Sequence, residues 1–151
     1  MWSASSNRMV LVTIIALSAS SGCDHSDLST KIIFGTVTVD GQKPDCGQLR
    51  FVPIEGTPGP ASFGLIVDGQ YRIEARGGVP VGKHRVEIDA RVETGRQVRG
   101  YAGLEEAMVD ETVSMLPVEY ANDQSPFVAE IRADGESRID ITVDTPCPPE
   151  R

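Results

Sequence analysis

Aromatic residues, basic residues and histidines are all scarce in this chain of 151 residues, and each shortage narrows the range of functions. Aromatic side chains make up only 5% of the sequence, which suits an aliphatic core better than a sugar-binding groove lined by aromatic rings. The 14 lysines and arginines are outnumbered by 22 acidic residues, which gives a formal net charge of −8. Because binding to phosphates requires a basic surface, this balance argues against a nucleic-acid partner.

Motifs for catalysis and for metal binding are missing as well. The two histidines, His25 and His84, lie far apart, and the sequence contains no HxH, CxxC or HExxH spacing. It also lacks a G-x-S-x-G nucleophile motif, so that only His84 could act as a base. His84 begins an apolar alternation, which favours packing at the end of a sheet. We therefore predict a non-enzymatic protein with no catalytic residue, no metal site and no cofactor.

The longest apolar run lies near the N-terminus and is too short to cross a bilayer. It extends from Met9 to Ala19, whereas a spanning helix needs about 20 residues. With a basic residue before it and small residues after it, this run predicts a signal peptide over residues 1–22. The next residue, Cys23, ends a Ser-Ser-Gly-Cys sequence that resembles the lipobox of bacterial lipoproteins, although the lipobox prefers leucine at the position of Ser20.

Lipidation of Cys23 would attach the exported chain to a cell-envelope membrane, on its periplasmic or outer face, through a polar tether at 23–30. Two or more acyl chains make such an attachment stable. A plain secretory signal cleaved near this position is the alternative. On either interpretation the chain enters an oxidising compartment.

Short alternating segments bounded by glycine, proline and aspartate predict a β-domain over residues 31–145. The clearest strand has Val86, Ile88 and Ala90 on one face and charged residues on the other. No segment has the periodicity of a long helix. We therefore predict an all-β fold, namely an antiparallel β-sandwich of about seven strands.

Two hairpins offer a choice of register. A two-residue turn at Asp68-Gly69 would pair Leu65 with Arg72, whereas a three-residue turn would pair Leu65 with Tyr71 and make one face apolar. We expect the three-residue turn. By the same argument, a turn at 133–135 is expected to pair the strand at 127–131 with the strand at 137–143.

Two segments lack strand patterning. Residues 93–114 have no regular alternation and predict a long irregular loop. Any specificity that the protein has would lie there, but a mobile surface loop without such a role is the favoured interpretation. Residues 146–151 predict a proline-rich tail.

Several motifs together resemble one family. The stretches GTVTVDGQKPDCGQLRFVP, DGQYRI and GGVPVGKHRVEI are similar to the transthyretin-like (prealbumin-like) sandwich of carboxypeptidase regulatory-like domains. Within this group, the sequence resembles small lipoproteins of planctomycete-type bacteria that carry the domain. The sequence differs from their pattern in having His84 where tyrosine is usual. The resemblance implies a fold for residues 31–143, but it implies little about function, because sandwiches support many roles.

Three cysteines in an exported chain leave one unpaired, and lipidation of Cys23 removes it from the count. The remaining pair, Cys46 and Cys147, is predicted to form a disulfide between the first strand connection and the tail. Two free, unrelated thiols are the alternative.

These observations favour a lipid-anchored structural or protein-interaction module with an envelope protein as its partner. A glycan-binding or small-ligand-binding accessory module is the alternative hypothesis. An enzyme is the least favoured, because no catalytic constellation is visible.

Overall fold

The computed structural model describes residues 28–102, 105–135 and 137–145. The predicted signal peptide (1–22), Cys23 and the tail with Cys147 lie outside the described residues. Neither of the two short helical turns within those ranges is long and apolar enough to cross a membrane.

Strands dominate the described residues, which confirms the predicted all-β class. The strands are β1 (Thr30–Lys31), β2 (Ile33–Val39), β3 (Cys46–Pro53), β4 (Ser62–Val67), β5 (Gln70–Ile73), β6 (Val79–Pro80), β7 (Gly82–Ala102), β8 (Glu105–Ser114), β9 (Val128–Ile131) and β10 (Ile141–Val143). Two 3-10 turns, Ala75–Gly77 and Val118–Ala121, complete the regular structure of these ranges.

Most strands form one curled sheet with the order β10-β2-β5-β4-β3-β7-β8, and β9 also pairs with β7. The sheet is mixed, because β10 pairs with β2 in parallel. The prediction of about seven strands, all antiparallel, was therefore wrong in strand number and in this pairing. A parallel neighbour requires a long return of the chain, and β10 reaches β2 from the opposite edge of the sheet.

The core is mainly aliphatic and is formed by alternate residues of the strands. Val86, Ile88 and Ala90 are at most 2% exposed, which confirms the face predicted for their strand. Other buried apolar residues come from seven further strands and the loop after β8: Ile33, Val37, Val39, Leu49, Phe51, Ile66, Tyr71, Ile73, Val79, Leu116, Ile131, Ile141 and Val143.

The predicted register of the first hairpin was wrong. Strands β4 and β5 are joined by a two-residue turn, so that Ile66 pairs with Tyr71. Asp68 and Gly69 have φ angles of 49° and 69°, a primed turn whose twist matches that of the flanking strands. Ile66 consequently faces the core, and the apolar residues on either side of it, Leu65 among them, face solvent.

The prediction of an irregular loop at 93–114 was also wrong. Strand β7 continues to Ala102 and pairs with β8 as far as the Ala102–Glu105 pair. Backbone hydrogen bonds hold this hairpin, and both of its faces are largely exposed, so that no apolar alternation is required. We call residues 92–102 of β7 together with β8 the arm.

The last two strands do not pair with each other as predicted. Strand β9 pairs with β7 through His84 and Ala129, and β10 pairs with β2 through Val37 and Ile141. Each strand thereby finds an open edge of the curled sheet and brings an apolar side chain into the core. Long-range pairing has displaced the local hairpin.

The N-terminal boundary of the domain lies slightly earlier than predicted. Thr30 and Lys31 pair with Pro80 and Val79, and the backbone N–H of Val81 donates to the carbonyl of Ser29 at 2.8 Å. Ser29 and Thr30, which were assigned to the tether, therefore belong to the folded domain.

Candidate interaction surfaces

An apolar stripe runs along the outer face of β4. It consists of Phe63, Leu65 and Val67, whose exposed fractions are 65%, 67% and 60%. Alternate residues of the same strand, Gly64 and Ile66, are buried, so that β4 is apolar on both faces. A strand of this kind is typical of sheets covered on both sides, and here one side is uncovered within the described residues.

The apolar stripe borders an open groove with a volume of about 1010 Å³. Phe34 of β2 lines the other side of the groove, and the guanidinium carbon of Arg72 lies 6.0 Å from the centre of its ring. This distance is within the range of a cation–π contact.

Phe63 lies where three depressions meet. Besides the groove, it lines a cleft of about 300 Å³ that it shares with Leu28 and Pro80. On its other side it lines a depression beside Arg50 and Glu87. The ring is thus accessible from several directions, and on one of them it faces the cleft that also contains Leu28, the first described residue.

Four charged residues beside the apolar stripe form two ion pairs, whereas Asp68, which follows Val67 and lines the same groove, forms none among the described residues. The Arg72 Nε to Glu74 Oε2 distance is 2.6 Å, and Arg138 Nε lies 2.9 Å from Asp140 Oδ2. The bond from Arg138 and further bonds from the backbone and hydroxyl of Thr36 hold the pKa of Asp140 below its usual range. The charges of these two pairs therefore cancel beside the stripe, although the whole chain is acidic.

Glu87 is a buried carboxylate in the body of the domain, which we define as the described residues outside the arm. It is 5% exposed and lies 2.8 Å from both Arg50 and Arg85. It was predicted on the wet face of its strand and does lie on the outer face, in the row of Phe63 and Arg50, but these neighbours exclude water from it.

The arm begins at a bulge. The register between β7 and β8 shifts between Glu93 and Gln97, and Gly95 has a φ of 74°, which favours glycine. The carboxylate of Glu111 accepts bonds from the hydroxyl of Thr94 at 2.6 Å and from Arg96 at 2.8 and 2.9 Å. These bonds lower the pKa of Glu111, that from Thr94 having the largest effect.

Beyond the bulge the arm is exposed. Val98 and Met108 are 38% and 58% exposed, and acidic residues such as Glu106 and Asp110 lie beside them. In the described residues β8 pairs only with β7, which leaves its outer edge free for a further strand.

His84 is buried as expected for a residue on the apolar side of the sheet. It is 0% exposed, and its ring centroid lies 6.2 Å from that of Phe51 in an edge-to-face arrangement. Nδ1 lies 3.1 Å from the carbonyl oxygen of Gly82, and Nε2 has no partner in the part of the chain that the structure describes. Burial lowers the pKa of the imidazole, an effect that the Gly82 bond partly opposes.

No cluster of three or more histidine, cysteine or carboxylate side chains in the described ranges could hold a metal ion. His25, the second histidine, lies outside those ranges.

Of the predicted site residues, only Cys46 is described. It is half-buried at the start of β3. Thr145, the last described residue, donates from its backbone N–H to Asp40 at 2.8 Å and also from its hydroxyl. These bonds hold the chain end beside the connection that leads to Cys46, two residues before Cys147.

The sequence interpretation placed any specificity in residues 93–114 but predicted an irregular loop there instead of the arm, and it missed the apolar stripe. The signal for the apolar stripe was present, because Phe63 to Val67 are five consecutive apolar or glycine residues where a half-exposed strand would alternate. The arm carries no comparable signal, because its residues alternate in neither polarity nor size.

Comparisons with known proteins identify no relative. No family model, curated protein or solved structure matches this chain.

Proposed function

We propose that this chain is a lipid-anchored, non-enzymatic interaction module of the cell envelope. In this proposal Cys23 carries the lipid, and the domain is a transthyretin-like sandwich of the kind found in small planctomycete-type lipoproteins. The apolar N-terminal run, the Ser-Ser-Gly-Cys sequence and the family motifs support the anchor and the fold.

The observation that carries the interaction role is the arm with its unpaired β8 edge in the described chain. A strand of 10 residues with a free edge can accept an extended segment of another protein by main-chain hydrogen bonding. An exposed edge of this length otherwise invites unspecific pairing, and proteins protect such edges with charge.

The acidic residues on β8 indicate the kind of partner. Two copies of β8 would place Glu106 and Asp110 of each copy near those of the other, which opposes self-pairing. A basic or mixed-charge extended segment would complement them. The partner is therefore an envelope protein with such a segment rather than a second copy.

The glycan-binding alternative has less support. The exposed rings beside the groove are Phe34 and Phe63, which offer no hydrogen bond, and Tyr71 is only 4% exposed. Burial and the charge of Asp140 raise the pKa of Tyr71 above its usual value, and its hydroxyl donates to the carbonyl of Ile139 at 2.7 Å. A glycan-array screen with a reproducible binder would reverse this preference.

A disulfide between Cys46 and Cys147 also remains a proposal. Export to an oxidising compartment and the even number of cysteines that remains after lipidation of Cys23 support it. Intact-mass spectrometry of the natively expressed protein tests the anchor and the bridge together. We expect an acylated N-terminal Cys23 and a gain of about two daltons on reduction. A chain that retains residues 1–22 would contradict export.

Site-specific photo-cross-linking tests the arm. A photoreactive residue at Met108 is expected to capture a discrete envelope protein, and the same residue at Val118 provides the control. Val118 is 72% exposed but lies on the 3-10 turn of the body. Charge reversal by Asp110→Lys should abolish the product. Equal capture from both positions, or no effect of the reversal, would contradict a role for the arm.

A further inference from the structure

We propose that the apolar stripe, together with Phe34, is the face that the anchored domain lays on the lipid surface. This inference rests on the lipid anchor at Cys23 proposed above. It assigns a role to a surface that the interaction through the arm does not use.

The length of the tether keeps the domain at the membrane. Leu28 is the fifth residue after Cys23, so that the two residues lie at most about 18 Å apart whatever the conformation between them. Residues 29–31 pair with residues 79–81, so they belong to the domain and do not lengthen the tether. The part of the domain around Leu28 therefore stays within that distance of the lipid headgroups.

The apolar stripe begins at that part of the domain. Leu28 and Phe63 line the same cleft of about 300 Å³, so the entering chain and the first residue of the stripe are neighbours. Leu65 and Val67 continue from Phe63 along β4. A rotation of the tethered domain is enough to bring all three side chains to the lipid.

The chemistry of this face suits a lipid interface. The free energy falls when exposed phenylalanine, leucine and valine side chains move from water into the boundary between headgroups and acyl chains. The ion pairs Arg72–Glu74 and Arg138–Asp140 neutralise one another's charge, so that these four groups would not enter the interface unpaired. On the other side of Phe63 the carboxylate of Glu87 is paired with both Arg50 and Arg85, which leaves one positive charge there.

A membrane occupant is favoured over a second copy by effective concentration. A short tether presents the lipid surface to the stripe at all times, so that weak apolar contacts suffice. A second copy must be met by diffusion within the membrane.

A tryptophan reporter tests the inference on the full lipidated protein. Trp2, the only tryptophan, lies in the predicted signal peptide, so Leu65→Trp gives the mature chain one reporter. Val67→Trp is a second reporter in the stripe, and Val118→Trp is the matched exposed control. The proteins are reconstituted into phosphatidylcholine vesicles with or without lipids brominated on their acyl chains.

We expect the Leu65→Trp and Val67→Trp variants to emit at shorter wavelength in vesicles and to lose most of their emission to brominated lipid, while the Val118→Trp variant is unaffected. A chain that floats with the vesicles but shows unquenched, water-exposed emission from both stripe variants would overturn this inference alone. If the stripe variants emit at shorter wavelength without being quenched by brominated lipid, and this shift disappears when the protein is diluted in the membrane, the stripe contacts a second copy and the inference is overturned. A chain that does not float would overturn the anchor, and with it this inference.

Discussion

The two halves of strand β7 differ in their strand partners and in how deeply their side chains are buried. Up to Arg91 it pairs with β3 on one edge and with β9 or the chain after β8 on the other, and Ile88 is fully buried. From Val92 onward its only strand partner within the described ranges is β8, and Val98 is 38% exposed. The change comes at Glu93, whose N–H donates to the carboxylate of Asp45 at 2.8 Å.

The difference teaches that hydrogen bonding and burial make separate contributions to this protein. Both halves form backbone hydrogen bonds with partner strands, but only the body removes much apolar surface from water. The arm should therefore open locally at low free-energy cost, while the body unfolds as a unit. Such a division suits an element that must receive a partner.

The largest expected contrast lies between Ile88→Ala and Val98→Ala on the same strand. We expect Ile88→Ala to lower the free energy of unfolding by about 2–4 kcal/mol through a cavity in the core. Val98→Ala should change it by less than about 0.5 kcal/mol. Urea denaturation measures both values, and equal losses would show that the arm is part of the cooperative unit.

Buried charge gives the next contrast. Glu87→Gln should lower the free energy of unfolding by about 1–3 kcal/mol, because two arginines lose their carboxylate and Arg85 is only 24% exposed. Glu74→Gln removes an exposed pair with Arg72 and should cost less than about 0.5 kcal/mol. If both variants match the wild type, Glu87 contributes nothing beyond a surface pair.

We expect His84→Phe to stabilise the body. The substitution removes a buried ring nitrogen that has no partner among the described residues, and we expect a gain of about 1 kcal/mol at neutral pH. Because the folded-state pKa of His84 lies below its ordinary 6.5, the unfolded chain binds a proton that the folded chain does not. The wild type therefore loses stability as the pH falls below about 6.5, and His84→Phe should lack that loss.

Urea titrations of both proteins between neutral and acidic pH measure the two slopes. Identical slopes would show that the imidazole of the folded protein titrates normally.

The smallest effect is expected in the arm. Glu111→Gln weakens the bonds to Thr94 and Arg96 at the bulge and should leave the global free energy of unfolding unchanged. Hydrogen exchange of the backbone N–H of Arg96, which lies 3.3 Å from the Thr94 hydroxyl, should become faster. An altered global midpoint would contradict the separation of arm and body.

The body was more predictable than the arm because burial leaves a pattern in sequence. Val86, Ile88 and Ala90 alternate with charged residues, and the structure buries them as expected. The arm is held by backbone pairing, which any non-proline sequence can make, and Val98 and Met108 give it no regular pattern. An exposed hairpin and an irregular loop therefore look alike in sequence.

The other errors have physical causes of the same kind. The register of β4 was assigned on the assumption that its apolar residues share one face, whereas Ile66 faces inward and Leu65 outward. The edges to which β9 and β10 pair depend on how the sheet curls, and local sequence does not encode that. Neither proposed surface follows from a motif, because each depends on which strand faces remain uncovered.

The short pairing of β1 with β6 has a mechanical consequence. Strand β6 continues through Val81 directly into β7, and Thr30 pairs with Pro80 at the end of the ladder where both connections leave. A force between a partner on the arm and the proposed lipid on Cys23 would therefore peel the β1–β6 ladder open from that end. That ladder involves only residues 29–31 and would fail before the multiply paired strands of the body. Its rupture would lengthen the tether between the membrane and the domain by about 10 Å while the core stays folded.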